Sequence, residues 1–332
     1  MTAPSPGGLR RWARLLLLGP GGTGLAAAVS LVLPVAAPVL LPLAAARLAR
    51  TWRSESPEWV PLAASLAVPF AVVLGFLAPP SGPWLAPAVA LAAVVLPALA
   101  VNAAARDRRR ADLVSLVAGA ASGIGVLALL LGAGLGSGRE PGLLLSDRIG
   151  RALPEIFQMY RSAGLGESSI QALAEFFDGV RAVVARQSVG LALGGSVLYG
   201  AFLVYGLGRR IGLAPPEVAE TQFARYRTPL LAAVAFVPLG VVAALGPSSL
   251  ARTAVDLLVP LGVLFFLRGL AIIRALLERG AVGLFGRALV YLLVVQMPFP
   301  AVVALGGLFD EFFDFRSRLA APREREPGGG DD

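Results

Sequence analysis

Long apolar runs dominate the chain, and short polar or arginine-bearing stretches punctuate them. A membrane-crossing helix needs about 20 predominantly apolar residues, and runs of that kind recur. The first, residues 15–46, is too long for one comfortable crossing and short for two. Pro34, Pro38 and Pro42 predict a break, so one crossing to about Ser30 and then a short or half-crossing helix is expected. Further spans are predicted at residues 59–78, 84–105, 112–135, 189–207, 229–245, 251–277 and 284–309. This makes eight crossings, or nine if the first run splits. Trp59 and Trp84 stand at span starts, where indoles favour the membrane interface.

Arginine placement predicts the orientation. Arg47, Arg50 and Arg53 share one loop, and Arg106, Arg108, Arg109 and Arg110 share another two crossings later. Arg209, Arg210, Arg225 and Arg227 lie in a third, again two crossings on. The short loops between, residues 79–83 and 246–249, carry none. Because arginine-rich short loops resist translocation, the three basic loops are expected in the cytoplasm. Arg10, Arg11 and Arg14 fit a cytoplasmic N-terminus only if the first run crosses twice. That run is too long for an ordinary signal-peptide core and has a basic flank behind it, so it reads as an uncleaved anchor. The same counting puts the C-terminal tail outside.

One stretch is not membrane-like. Residues 137–187 hold six Arg and six Asp or Glu. Ile149, Leu153, Ile156, Phe157 and Tyr160 follow helical spacing, with Ser146 as the expected N-cap. Gly164 and Gly166 stop that helix, and Ser168 with Gln171 forms a capping-box pattern. Ile170, Leu173, Phe177, Val180 and Val184 then recur three and four residues apart. The expectation is an extracytoplasmic hairpin of two amphipathic helices. It is either a lid packing on itself and the membrane surface or a docking surface for a partner or ligand.

Composition sharpens this. Hydrophobic residues make up 56% of the 332 and charged residues 15%, far from the roughly 25% charge of soluble domains. With Cys 0 and His 0, disulfides, thiolate nucleophiles, Cys/His zinc sites and histidine triads are excluded. All 29 basic residues are Arg, which excludes a Walker A lysine and Schiff-base chemistry. The net charge of +8 is spread over loops, so it reads as topology and not as nucleic-acid binding. No cofactor, metal site or catalytic set is expected. Gly19, Gly21 and Gly24 match a dinucleotide fingerprint formally, but they sit in an apolar segment and not between a strand and a helix. The pairs Gly119 with Gly123 and Gly190 with Gly194 are GxxxG spacings within spans, suited to close helix packing or a dimer face.

Charged residues inside spans carry more information, because burying them in lipid is costly. Asp256 follows Arg252 by one turn, and Glu278 follows Arg274, so local pairs are expected. Arg268 lies well inside its span. It either snorkels or faces a polar cavity, binding an anionic group or a partner carboxylate. Tyr291 and Gln296 lie on the last span, before Pro298 and Pro300, which predict a kink. Asp310 and Asp314 stand one turn apart at its end, with Arg318 a turn further, on a membrane-surface helix with aromatic anchors or in a cation or partner site. Arg268, Gln296, Tyr291, Asp310 and Asp314 are the candidate ligand or ion-pair residues. Asn102 is the only asparagine.

The C-terminal third carries a resemblance. Leu267-Arg268-Gly269-Leu270-Ala271-Ile272-Ile273 on a long span, then Gly307-Leu308-Phe309-Asp310 and Phe313-Asp314-Phe315-Arg316, resemble the YybS-like family of predicted bacterial membrane proteins, DUF2232. Arg225-Tyr226-Arg227-Thr228-Pro229 leading into a span is similar too. Arg268 departs from the glutamine that the resemblance leads one to expect before the glycine. The resemblance implies an integral inner-membrane protein without an assigned activity. The N-terminal helices are loosely similar to the substrate-binding subunits of energy-coupling-factor transporters.

The expectation is therefore an all-α, polytopic integral membrane protein of the bacterial inner membrane. N-terminal transmembrane helices occupy residues 1–136, the helical insertion 137–187 and C-terminal transmembrane helices 188–316. A polar tail follows at 317–332, expected to be disordered. The function expected is a small-molecule binding or transport subunit. A scaffold recruiting partners to the envelope or division machinery is the alternative, and an intramembrane enzyme ranks last. Expected partners are membrane lipids, a membrane or envelope protein and an anionic small molecule, with no nucleic acid.

Overall fold

The computed structural model of the chain describes residues 42–43, 45–46, 49, 94–106, 110–207, 223–280, 282–296, 298–313 and 315. Among them every regular element is helical: α1 (Leu96–Arg106), α2 (Ala111–Ser137), α3 (Pro141–Ser162), α4 (Glu167–Ala201), α5 (Leu230–Leu245), α6 (Ser248–Arg279), α7 (Leu284–Val295) and α8 (Phe299–Phe313). A π-helical turn, Phe202–Leu207, extends α4, and a short 3-10 turn, Phe223–Arg225, precedes α5. Three of these helices are long and apolar enough to cross a membrane: Ala111–Ser137, Glu167–Leu207 and Ser248–Arg279. The bent pair α7 and α8 would make a fourth if it forms one broken span. The expected spans at 15–46 and 59–78, and the start of that at 84–105, lie outside the described residues, as does the tail after 315.

The described residues fall into two compact units. One lies within Met1–Gln222 and Val237–Leu261, the other within Phe223–Phe236 and Gly262–Asp332. In the first, α2 packs along the second half of α4 through small residues. Ser115, Ala118, Gly119, Ser122 and Gly123 are buried on α2, and Gly190, Gly194, Ser196 and Gly200 on α4. A Cβ on Gly119 would stand 2.8 Å from the Ser196 carbonyl oxygen, and one on Gly200 would collide with the backbone of Ser115. The GxxxG glycines thus serve packing inside the chain. Meanwhile Ile124, Leu131 and Leu135 of α2 point outward. Small residues inside and large apolar ones outside is the arrangement of a helix bundle in lipid, where close backbone approach replaces the hydrophobic drive between helices.

Several local expectations are corrected. Ser146 does not cap α3; it is buried inside it, and Pro141 opens the helix, since its missing N–H costs nothing at a first-turn position. Ser168 does not start the second arm. That helix begins at Glu167 behind Gly166, with no side-chain capping bond. Nor is the second arm separate from the following span: α4 runs through both, with a break at Gln187 (φ −128°, ψ 28°). The two arms do pack on each other. Leu153 and Ile170 are buried, and the Phe157 and Phe177 rings meet edge-on at 6.2 Å. Gly164, at φ +87°, reverses the chain between them where a side chain would be strained. The run at 284–309, expected to kink at its prolines, is broken into α7 and α8, because Pro298 interrupts the hydrogen-bond ladder between Val295 and Phe299.

Candidate functional site

In the second unit, α6 and α8 approach through two glycines. A Cβ on Gly307 would collide with the Phe265 carbonyl oxygen, and one on Gly269 with the Val303 carbonyl oxygen. Each helix thus presents a bare backbone patch to the other. The consequence is that Arg268, next to Gly269, is brought beside Asp310, one turn beyond Gly307. Leu264, Phe265, Leu267, Arg268 and Ala271 are all buried on this stretch of α6. Phe265 also meets the ring of Phe236 edge-on at 5.4 Å, closing the apolar side.

The Arg268 guanidinium is gripped on all its nitrogens. Nε donates to Oδ2 of Asp310 at 2.8 Å, and Nη2 donates to the Asp310 main-chain oxygen at 3.0 Å. The arginine thus binds both the side chain and the main chain of one residue near the end of α8. Nη1 donates to Oγ1 of Thr228 at 3.0 Å and pairs with Glu311. The Thr228 hydroxyl donates onward to Glu311 Oε2 at 2.9 Å. Side-chain exposure is 8% for Arg268, 0% for Asp310 and 14% for Glu311. Tyr226, two residues before Thr228, is fully buried, with Phe223 packed on its ring.

Chemically, this is a closed network of one guanidinium, one hydroxyl and two carboxylates. The planar fork of arginine suits it, because two nitrogens reach one residue and the third reaches two others. The position is not that of a snorkelling arginine, whose head group would reach solvent. An anionic ligand would find the guanidinium already holding carboxylates and would have to exchange with one of them. Among the described residues, no group of three His, Cys, Asp or Glu side chains comes together to hold a metal ion.

The candidate residues separate accordingly. Arg268 and Asp310 meet. Gln296 is exposed past the end of α7, its backbone N–H bonded to the Leu293 carbonyl. Tyr291 is half-buried within electrostatic reach of Arg274, Glu278 and Arg287. Asp314 lies outside the described residues. Thr228 and Glu311 were not anticipated in this role; the signals for them were that Thr228 stands in the Arg225–Pro229 motif and that Glu311 follows Asp310 directly. Of the two local pairs expected on α6, Arg274 with Glu278 forms at 2.9 Å. Asp256 instead accepts the Gly190 N–H at 3.0 Å, and Arg252 faces Glu140 at 3.9 Å. Asp256 is drawn to α4 because the bare glycine backbone offers a donor at close range. Asn102 is buried, and its amide nitrogen has no hydrogen-bond partner among the described residues.

A family model described as "Predicted membrane protein (DUF2232)" matches residues 25–311. No curated protein and no solved structure matches the chain.

Proposed function

We propose, for a chain that belongs to the DUF2232 family of predicted membrane proteins, that it works as a multi-pass small-molecule binding or transport component of the bacterial inner membrane. In this reading it has no catalytic step of its own. The observation that carries it is the buried network of Arg268, Thr228, Asp310 and Glu311. Ionisable groups among membrane helices are costly and tend to mark substrate or ion pathways. The glycine contacts between α6 and α8 supply packing without any charge, so packing does not account for the network. The broken pair α7 and α8 adds support, since discontinuous helices line the solute sites of many transporters.

The mechanism follows from the exchange chemistry. Asp310 and Glu311 act as internal stand-ins for the anionic group of a solute. Glu311 is the more exposed carboxylate, so it yields first, and a bound carboxylate or phosphate then takes its place on Nη1 of Arg268. Release of Glu311 also frees the Thr228 hydroxyl, which couples solute binding to the contact between residue 228 and α8. The second reading is a scaffold that recruits envelope or division proteins. It is favoured by the exposed apolar residues Met159, Phe176 and Val183 on the hairpin.

The test is purification in mild detergent, mass spectrometry of bound small molecules and proteins, and thermal-shift screening with anionic metabolites. The expected result is a stabilising solute whose effect grows in Glu311→Gln, which lacks the internal competitor, and vanishes in Arg268→Gln. Envelope proteins co-purifying, with no solute bound and no shift from any metabolite, would instead establish the scaffold.

A further inference from the structure

A second charged site lies in the other unit, where α2 hands over to the hairpin. Arg139, Asp147, Gly150, Arg151 and Arg181 line a cleft of about 450 Å³ between α3 and α4. Three arginines and one aspartate line it, and a second aspartate, Asp178, pairs with Arg181. Each arginine is tethered by bonds that engage only part of its five donors. Arg139 Nη2 holds Asp147 Oδ2 at 2.8 Å, and Arg151 Nε reaches the Asp147 carbonyl at 3.4 Å. Arg181 Nε donates to the Ser146 carbonyl at 3.3 Å and Nη1 to Asp178 at 3.1 Å. Gly150 is what seats Arg181. A Cβ at residue 150 would stand 2.9 Å from Cζ of that guanidinium and 3.0 Å from its Nη2.

The depth of the cleft follows from its neighbours. Arg139 comes two residues after the end of the apolar helix α2. The turn is tight: a Cβ on Gly134 would lie 3.0 Å from Pro141 and 3.1 Å from the Arg139 carbonyl, so α3 folds directly onto the end of the span. On the other wall, Arg181 precedes the break at Gln187, after which α4 packs along α2. A helix of the length and apolarity of α2 ends at the membrane interface, so Arg139, two residues beyond it, falls within reach of lipid headgroups on whichever side this face occupies. Convergent guanidinium groups at that depth match an oxyanion with several acceptor oxygens, which can take paired N–H donors.

We propose that the cleft of Arg139, Arg151 and Arg181 is a phosphate-binding site, filled by the phosphodiester of an anionic lipid headgroup or by free phosphate. It is independent of the reading given for Arg268. The Asp147 carboxylate positions Arg139, the helix backbone at residue 147 holds Arg151, and Gly150 gives Arg181 its place.

The experiment uses the full chain in mild detergent and native mass spectrometry. Phosphatidylglycerol is compared with phosphatidylcholine of the same acyl chains, and inorganic phosphate with chloride at equal ionic strength. Wild type should retain phosphatidylglycerol about tenfold over phosphatidylcholine, or be stabilised by inorganic phosphate. Displacement of the lipid by inorganic phosphate assigns the site to the phosphate group alone, and resistance to displacement assigns it to the lipid headgroup. Arg139→Gln with Arg151→Gln should remove the preference. So should Gly150→Ala, which displaces only the far end of a flexible side chain and keeps every charge. Arg161→Gln, on the exposed tip and paired with Glu167, should leave it intact. Equal loss in Arg161→Gln would reduce the effect to bulk charge and overturn the site. So would equal retention of both lipids together with no phosphate response.

Discussion

Arg268 and Asp310 stand 42 residues apart in sequence and meet at 2.8 Å through Nε and Oδ2, with the aspartate wholly buried. The pair lies one helical step from the glycine contact between α6 and α8. Charge pairing and close packing therefore support each other: the glycines bring the groups within reach, and the bonds hold the backbones together.

Removing either partner should leave the other charge buried and unpaired. Arg268→Gln and Asp310→Asn should each lower unfolding stability by about 3–5 kcal/mol. The double variant should lose clearly less than the sum, because the two positions share one interaction. Thr228→Ala should cost about 1 kcal/mol, as expected for a hydroxyl relay. Denaturant unfolding in detergent reads all of these. Strict additivity of the double variant would contradict a direct pair.

The glycine contact can be tested apart from the charges. Gly307→Val should push α8 off the Phe265 carbonyl and cost about 1–3 kcal/mol. Gly306→Ala, where an added Cβ meets nothing within 4 Å, should change stability by no more than about 0.5 kcal/mol. Thermal unfolding of the two variants side by side would distinguish a real helix contact from a general glycine effect.

In the hairpin, Phe177→Asp should put a charge into the seam with Phe157 and loosen both arms. Phe176→Asp should not, because that ring is 62% exposed. Limited proteolysis of the membrane-embedded protein reads the difference. Equal cleavage of both variants would mean that the seam does not hold the arms.

Topology rests on the alternation of arginine loops. The chain contains no cysteine, so Ser168→Cys provides a single reporter on an exposed position of the hairpin. A membrane-impermeant maleimide should label it in intact spheroplasts. Labelling only after lysis would place the hairpin in the cytoplasm and reverse the orientation.

Much of the architecture was legible from local pattern. Apolar length alone located α2 and α6 to within a few residues, because the requirement to cover a bilayer acts on each segment separately. Helical periodicity likewise found the two arms of the hairpin. What failed were choices between nearby alternatives. Ser146 and Ser168 are good caps by type, yet Pro141 and the Gly166–Glu167 step opened the helices, since the tight turn at Gly134 and the reversal at Gly164 decide where each helix can begin. The break in the run at 284–309, by contrast, was legible from Pro298 and Pro300, since a proline removes a backbone bond.

The sequence by itself determined that this is an all-helical membrane protein, where α2 and α6 run, and that Arg268 is a charge set well inside an apolar span. Those conclusions depend on one residue or one segment meeting its solvent. The pairing was decided only by tertiary structure. Residue 268 has no sequence neighbour that could neutralise it, and Gln296 was nearer in order than Asp310. Which one it meets depends on the crossing of α6 over α8, and that crossing depends on Gly269 and Gly307 lying opposite each other. Helical periodicity describes one helix at a time; it does not specify which faces of two distant helices will touch.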